Sequence, residues 1–417
     1  MNDNADLYAT ILGIRAPWYV TDVEMRLKQE EIEVTIAARS DHRHRCPSCN
    51  KVCPGYDTRR RTWRHLDTCQ FKTLVTADVP RVECGEHGVI QIAVPWAEPG
   101  SGFTALMECL IIDWLLEANI SAVARRMRLS WGENDGVRER AVSRGLALRQ
   151  IEDIHHVGVD ETSYQKRHEY VTVVSDLDRN RVLFVADDRK SESLDGFWKI
   201  LTSKQIRGIE AVAMDMCPAY MKSTMEHVDD ARSKICFDRF HVAKLLNDAV
   251  NTVRKQENRE LAAEGAYVPE KTLYVWAQNP ENMPRERRAR FDLLRECSLK
   301  AGRAWAIKDA ARWLWNYTAR GWAAKAWKQW IGWAQRSRLE PMKRVARTIR
   351  NHLWGIINAI VLSITNAGAE SINAKIQWIK RQACGFRNRD RFRNAIYFHL
   401  GGLDLYPRHE STTHTTS

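Results

Sequence analysis

Three short runs, HHVGVDET, EYVTVVSDLD and RVLFVADD, open the stretch from Ile154 to Asp238. Each is rich in Val, Phe or Tyr, and turn-like or charged residues separate them, so they read as a strand meander. Ser193 to Gln205 follows with Leu194, Phe197, Trp198 and Leu201 at helical spacing. IEAVAMD, Ile209 to Asp215, is nearly all apolar before its final acid, as expected of a strand covered on both faces. A helical stretch from Pro218, a fifth strand KICFD (Lys234 to Asp238) and a helix opening near Phe240 complete the pattern.

Three meandering strands, helix, strand, helix, strand is the order of a ribonuclease H-like α/β layer. In such a layer Asp160 ends the first strand and Asp215 ends the fourth. If these strands are neighbours, two carboxylates converge at one sheet edge. Adjacent carboxylates repel, and a divalent cation is the natural way to keep both ionised. A single aspartate more often just ends a strand or caps a helix; two on these particular strands favour a metal.

The 417 residues are enough for two to four domains, and 44% hydrophobic content supports sizeable cores. No run approaches the roughly 20 apolar residues of a membrane span. The start MNDNADLYAT lacks a basic-then-apolar leader, so a cytoplasmic protein is expected, with its ten cysteines serving as thiols or metal ligands. The net charge of +12 is uneven. Residues 1–150 hold 20 Lys and Arg against 20 Asp and Glu, whereas residues 285–350 hold 18 against 5, a local +13. An excess so concentrated points to a polyanion, most simply nucleic acid.

Residues 1–40 contain two strand-like pieces, the clearer being EEIEVTIAAR with Ile32, Val34 and Ile36 alternating. Cys46 and Cys49 then pair across two residues, as do Cys84 and His87, with strand-like RRRTWRHLD and FKTLVTADVPRV between. Each tight turn can present two ligands, and two turns close a tetrahedron, so this reads as a structural zinc ribbon. His44, Cys53, His65 and Cys69 are alternative ligands. Arg59, Arg60, Arg61 and Arg64 could meet phosphates or simply be solvated.

PWAEPGSG, Pro95 to Gly102, is a linker. Helical periodicity then runs from Phe103 to Glu117, from Ile120 to Met127, and through Val137 and Val142 to about Leu148. Ser130 is placed to cap the third helix. Short helix, turn and basic-edged helix make a helix-turn-helix, with a purely structural helical linker as the plainer alternative. Downstream, nine of the sixteen tryptophans lie between Trp276 and Trp354, at spacings that usually build a helical core. Some could instead stack on unpaired bases.

Near Ile364 the sequence changes to SITNAGAESINAKIQWIKRQACGFRNRDRFRNAIYFHLGG. Asn366 or Ala367 begins a helix with Glu370 in its first turn, and Asn373 and Gln377 share its face. An early acid often just complements the helix dipole. The polar face and the seven Lys and Arg from Lys375 to Arg393 favour a third metal ligand bordered by phosphate contacts. Lys375, Lys380, Arg381, Arg387 and Arg389 are the candidates for those contacts.

Asp160, Asp215 and Glu370 on strand, strand and late helix resemble the acidic triad of DDE transposases and retroviral-type integrases. GVDETSYQKRHEYVTVVSDLD, IEAVAMDMCPAYMKS, ICFDRFHVAKLLNDAV and TNAGAESINAKIQWIKRQACGFRNRDRFRNAI together resemble the bacterial insertion-sequence transposases of the ISL-three family. The family's N-terminal zinc segment and helix-turn-helix match the readings above. The resemblance implies a multidomain α/β protein. Its ribonuclease H-like catalytic core (151–260 and 356–406) would be interrupted by a helical, basic insertion (261–355). A zinc ribbon (1–98) and a helix-turn-helix (99–150) would precede it, and a disordered tail (407–417) would close it. It also implies two Mg²⁺ ions, with Mn²⁺ as a substitute, held by Asp160, Asp215 and Glu370. One structural Zn²⁺ would sit on Cys46, Cys49, Cys84 and His87. The expected partners are double-stranded terminal inverted repeats and target DNA, read with help from Arg125, Arg126 and Arg138. The protein is expected to be at least a homodimer on DNA, at the nucleoid and away from membranes. Asp238 and His241 would support the site from behind, unless Asp238 only caps the next helix. A catalytically inactive DNA-binding regulator, and a nuclease or resolvase without strand transfer, are the competing classes.

Overall fold

A computed structural model describes residues 3–165, 169–188, 190–265, 273–278, 280–297, 299–364 and 367–407. Asn366 and the expected tail beyond Pro407 lie outside them. Contacts divide the chain into two units. The first takes the residues up to Arg149, Tyr397–His399 and those from Leu403 on; the second takes Gln150–Ile396 with Leu400–Gly402.

The first unit opens with a helix, α1 (Asp3–Ile11), that the sequence reading passed over. Its Tyr8 is buried and donates to Thr68 Oγ1 at 3.0 Å. Strands β1 (Trp18–Arg26), β2 (Glu31–Ala38), β3 (Gly55–Arg64), β4 (Lys72–Cys84) and β5 (Gly88–Gln91) form a sheet in the order β1-β2-β4-β3, with β5 also on β4. The alternation of Ile32, Val34 and Ile36 does what period-two patterning dictates: all three are buried on one face. Trp96 sits edge-on between Trp18 and Trp63, at ring distances of 4.9 and 5.5 Å.

Three helices follow: α2 (Ala105–Glu117), α3 (Ile120–Met127) and α4 (Trp131–Leu148). Each begins at a residue whose side chain accepts a backbone N–H: Thr104, Asn119 and Ser130. Ser130 makes a full capping box with Glu133. The arginines of α4 turn inward. Glu108 of α2 is only 1% exposed, and it accepts from Ser101 Oγ at 2.7 Å, Arg140 Nε at 2.9 Å and Arg144 Nη2 at 3.1 Å. A buried carboxylate survives only with such partners, so these cations are committed to the fold.

The second unit is built on a five-stranded sheet in the order β10-β9-β6-β7-β8. Strands β6 (His156–Gln165), β7 (Glu169–Asp176) and β8 (Arg181–Asp187) form the antiparallel meander. After α5 (Ser191–Ile200) and α6 (Ser203–Gly208), β9 (Ala211–Met214) returns parallel to β6. After α7 (Pro218–His227) and α8 (Ala231–Lys234), β10 (Ile235–Phe237) pairs parallel with β9. Two expectations need correction. The helix expected from Ser193 to Gln205 is two helices, because Thr202 leaves helical geometry and starts α6 with a capping box to Gln205. Asp160 does not end β6, which keeps pairing with β7 to Gln165. What stops near Asp160 is the ladder to β9.

The remaining helices are α9 (Arg239–Ala263), α10 (Leu273–Ala277), α11 (Arg285–Cys297), α12 (Leu299–Trp313), α13 (Arg320–Arg336), α14 (Glu340–Val361), α15 (Ala367–Gln382) and α16 (Arg389–Leu400). Buried Glu257 of α9 caps α12, accepting from the backbone N–H groups of Lys300 and Ala301 at 2.8 Å each. Buried Asn358 of α14 donates to the carbonyls of Arg232 and Ile235 at 2.9 Å, which fastens α14 to β10. Gly355 lets the helix close on the sheet, since a Cβ there would stand 2.5 Å from the Phe237 ring. Trp276, Trp305, Trp327 and Trp330 are buried in one core with Val157, Val159 and Met214, as the helical-core reading expects. Trp313, Trp322 and Trp333 are exposed. Among the described residues no helix is long and apolar enough to cross a membrane.

Candidate functional site

The β6–β9 ladder ends with Gly158 opposite Ala213. The same register carried two residues on sets Asp160 level with Asp215, at the carboxyl end of β9 where the sheet edge opens. Asp160 Oδ1 accepts from the backbone N–H of Glu161 at 2.7 Å, and Asp215 Oδ1 from that of Cys217 at 3.1 Å. Burial raises the Asp160 carboxyl above its ordinary range, and the charge of Asp215 pushes the same way.

Helix α15 lies along β6 through three polar contacts. Asn373 Nδ2 donates to Asp160 Oδ2, Gln377 Nε2 to Thr162 Oγ1 at 3.0 Å, and Lys380 Nζ to the carbonyl of Ser163. Glu370 is exposed, one turn before Asn373 on the same face. The carboxylates of Asp160, Asp215 and Glu370 do not all lie within 4.8 Å of one another.

Asp238 does two things at once. Its side chain caps α9 by accepting from Phe240 N at 3.0 Å, and its other oxygen stands 3.1 Å from His241 Nδ1. That hydrogen bond raises the His241 imidazolium above its ordinary value, and the charges of Asp160 and Asp215 add to it. The two readings of Asp238 are therefore not exclusive.

In the first unit, Cys46, Cys49, Cys84 and His87 converge with all ligand atoms within 4.8 Å of one another. Cys46 Sγ lies 3.7 Å from His87 Nδ1, Cys49 Sγ 3.6 Å from Cys84 Sγ, and Cys84 Sγ 3.5 Å from His87 Nδ1. Zinc–ligand bonds of about 2.3 Å at tetrahedral angles put ligand atoms about 3.7 Å apart, so the donor set and its spacing both fit zinc. His87 lowers the Cys84 thiol to about 6, toward the thiolate a metal needs. The alternative ligands stand outside this set. His65 is buried against Thr104 Oγ1 at 2.8 Å, Cys69 is exposed, the Cys53 thiol donates to the Lys51 carbonyl, and the ring of His44 packs on His42.

Of the expected phosphate contacts, Arg125 and Arg126 are exposed at the end of α3, with Arg126 over the Trp114 ring at 5.7 Å. Arg138 is a correction: it is buried and paired with Asp135, so no phosphate can reach it without breaking that pair. Arg64 is likewise buried on Asp67. Lys375, Arg381 and Arg387 are exposed, Lys380 is turned to β6, and Arg389 stands 5.5 Å over the Tyr164 ring and 3.8 Å from Asp187. The sequence reading did not single out Arg128, which is exposed beside Arg126 but hydrogen-bonded to Asp67 at 2.6 Å. It also missed a group of Asp195, Glu226 and His227 on α5 and α7, which no spacing in the chain announces.

Residues 157–396 match the sequence model of a transposase family of ISL3 type. Residues 92–133 match the helix-turn-helix domain of transposase family ISL3, and residues 42–87 match the zinc-finger of the IS204/IS1001/IS1096/IS1165 transposases. The chain is 25% identical to the transposase for insertion sequence element IS1557 of Mycobacterium tuberculosis, over 92% of this chain and 93% of the relative. It is 25% identical to the transposase for insertion sequence element IS1001 of Bordetella parapertussis, over 83% of this chain and 86% of that relative.

Proposed function

The chain belongs to the ISL3 family of DDE transposases, DNA-cleaving and strand-transfer enzymes, and from that premise we propose that Asp160, Asp215 and Glu370 are its catalytic metal ligands. The observation that carries this is that Asp160 and Asp215 each lie two residues beyond the last β6–β9 pair, Gly158 opposite Ala213, with the Glu370 face of α15 fastened to β6 by Asn373. The sheet order and its parallel β6-β9-β10 side support a ribonuclease H-like core at 151–260 and 356–406, interrupted by a helical insertion at 261–355. Residues 1–98 then serve as the ribbon module and 99–150 as the helix-turn-helix.

The substrate is the terminal inverted repeat of an insertion element, together with target DNA. Water first displaces the 3′-oxygen at the element end, leaving a 3′-OH and a 5′-phosphate. That 3′-OH then attacks a target phosphorus in line, forming one P–O bond as another breaks. Two Mg²⁺ ions on the three carboxylates, replaceable by Mn²⁺, would neutralise charge on the attacking and leaving oxygens. The protein's own groups do the rest. Asn373 and the Glu161 N–H fix the two oxygens of Asp160, Asp238 orients His241 toward the same edge, and the basic end of α15 faces phosphates. Arg125, Arg126 and the ribbon read the ends. Bringing two ends together requires at least a dimer on DNA, which places the enzyme at the nucleoid when it acts.

The test uses labelled duplex ending in the element's terminal repeat, a target plasmid, and Mg²⁺ present or absent. Metal-dependent cleavage followed by joining to the plasmid is expected. Cleavage without joining would move the protein to the nuclease class; binding with no cleavage under any divalent ion would leave only a regulator. Asn373 gives a graded check. Asn373→Ala frees an oxygen of Asp160 without removing a carboxylate, so the cleavage rate should fall about 10- to 100-fold with the melting temperature nearly unchanged.

A further inference from the structure

Helix α13 has two faces of different character. Ala323, Trp327, Trp330, Ile331 and Ala334 are buried. The outer face carries Trp322 at 64% and Trp333 at 40% exposure, with Lys325, Lys328 and Arg336. The helix contains no acidic residue, and among the described residues these three cations form no ion pair. A solvated helix surface ordinarily mixes both signs; this one does not.

The spacing is also unusual. Gly-Trp occurs at 321–322 and again at 332–333. Eleven residues are close to three helical turns, so the two tryptophans stand on the same side, about 16 Å apart. The two glycines leave a shallow groove of about 690 Å³, lined by Gly321, Ala324, Lys325, Lys328, Gln329, Gly332 and Arg336. The Lys325 ammonium lies 5.3 Å from the Trp322 ring centre.

We propose that the outer face of α13 binds a single-stranded DNA segment, with Trp322 and Trp333 stacking on unpaired bases and Lys325, Lys328 and Arg336 holding the phosphates between them. The inference rests on the transposase reading, in which a nick at the element end frees one strand to separate from its complement. Charge selects the partner: an acid-free cationic groove fits a polyanion, and flat exposed indoles fit bases, which have a π-face whatever their sequence. Arginines and lysines alone would serve duplex as well; the paired tryptophans are what specify unpaired strand.

The experiment measures fluorescence anisotropy of full-length protein with a labelled dT 20-mer and with a blunt 20-base-pair duplex, across a salt series. Trp322→Ala/Trp333→Ala should weaken the dT probe about tenfold or more and the duplex little, since stacking is lost only where bases are unpaired. Lys325→Ala/Lys328→Ala/Arg336→Ala should weaken dT binding and flatten its salt slope by about two. All five residues are exposed, and unchanged melting temperatures confirm folding. Unchanged dT affinity in either variant overturns the proposal, as does an equal loss on both probes in the tryptophan variant. Metal-dependent cleavage of element ends by the wild type is the separate readout. Its absence would sink the transposase reading, and its presence beside unchanged dT binding would sink only this one.

Discussion

Removing zinc from Cys46, Cys49, Cys84 and His87, by chelator or by Cys84→Ser, is expected to unfold the ribbon locally and abolish binding to element ends. Zinc sites of this kind contribute on the order of 10 kcal/mol, as much as the whole net stability of a typical domain. The loss should not be uniform. Strands β1 and β2 and the middle of β4 have their own apolar core of Val34, Ile36, Val75, Ala77 and Val79. The turn Cys46–Asn50, the start of β3 and the exposed turn from Glu83 to Val89 bury little beyond the ligands themselves, β3 being exposed along most of its length while Val82 stays in the apolar core. Hydrogen exchange should therefore rise across residues 44–58 and 83–89 while β2 stays protected. One zinc per chain is expected by elemental analysis. A metal-free protein with unchanged exchange in those segments would remove the zinc assignment.

The second large effect is on chemistry alone. Asp160→Asn and Asp215→Asn should each lower strand cleavage about a thousandfold or more, on the order of 4 kcal/mol of transition-state stabilisation. Neither should weaken the fold. Burial and the neighbouring Asp215 charge raise the Asp160 carboxyl, so at neutral pH its ionised form costs stability relative to a neutral isostere. In the absence of divalent ions Asp160→Asn should melt no lower than wild type, and it should still bind ends. A variant that loses cleavage and binding together, or that unfolds, would make Asp160 a structural residue instead.

Much of this was legible in the chain because it depends on local pattern. Alternating Ile32, Val34 and Ile36, the apolar run before Asp215, and Ser130 before α4 each carry a physical signal within a few residues. The convergence of Cys46, Cys49, Cys84 and His87 was legible because two-residue spacings act at short range. What stayed hidden depends on contacts between distant segments. β6 runs past Asp160 because β7 still pairs with it, while its other edge loses β9; no local feature separates those two edges. Arg138 looked like a surface cation because a partner three residues earlier, Asp135, gives no sign of burial. The sequence placed Asn373 on the Glu370 face, but only the packing of α15 on β6 reveals its bond to Asp160.

Glu370 decides the central claim. Asp160 and Asp215 are brought together by strand pairing, whereas Glu370 is assigned through its helix face. The measurement is single-turnover cleavage of a labelled terminal-repeat duplex in Mg²⁺ by Glu370→Gln beside Asp215→Asn, with end binding measured on the same samples. If the three acids are one metal site, Glu370→Gln loses cleavage by about a thousandfold like Asp215→Asn, and both bind as wild type does. Glu370→Gln that cuts at the wild-type rate would contradict the triad and require another residue to complete the site.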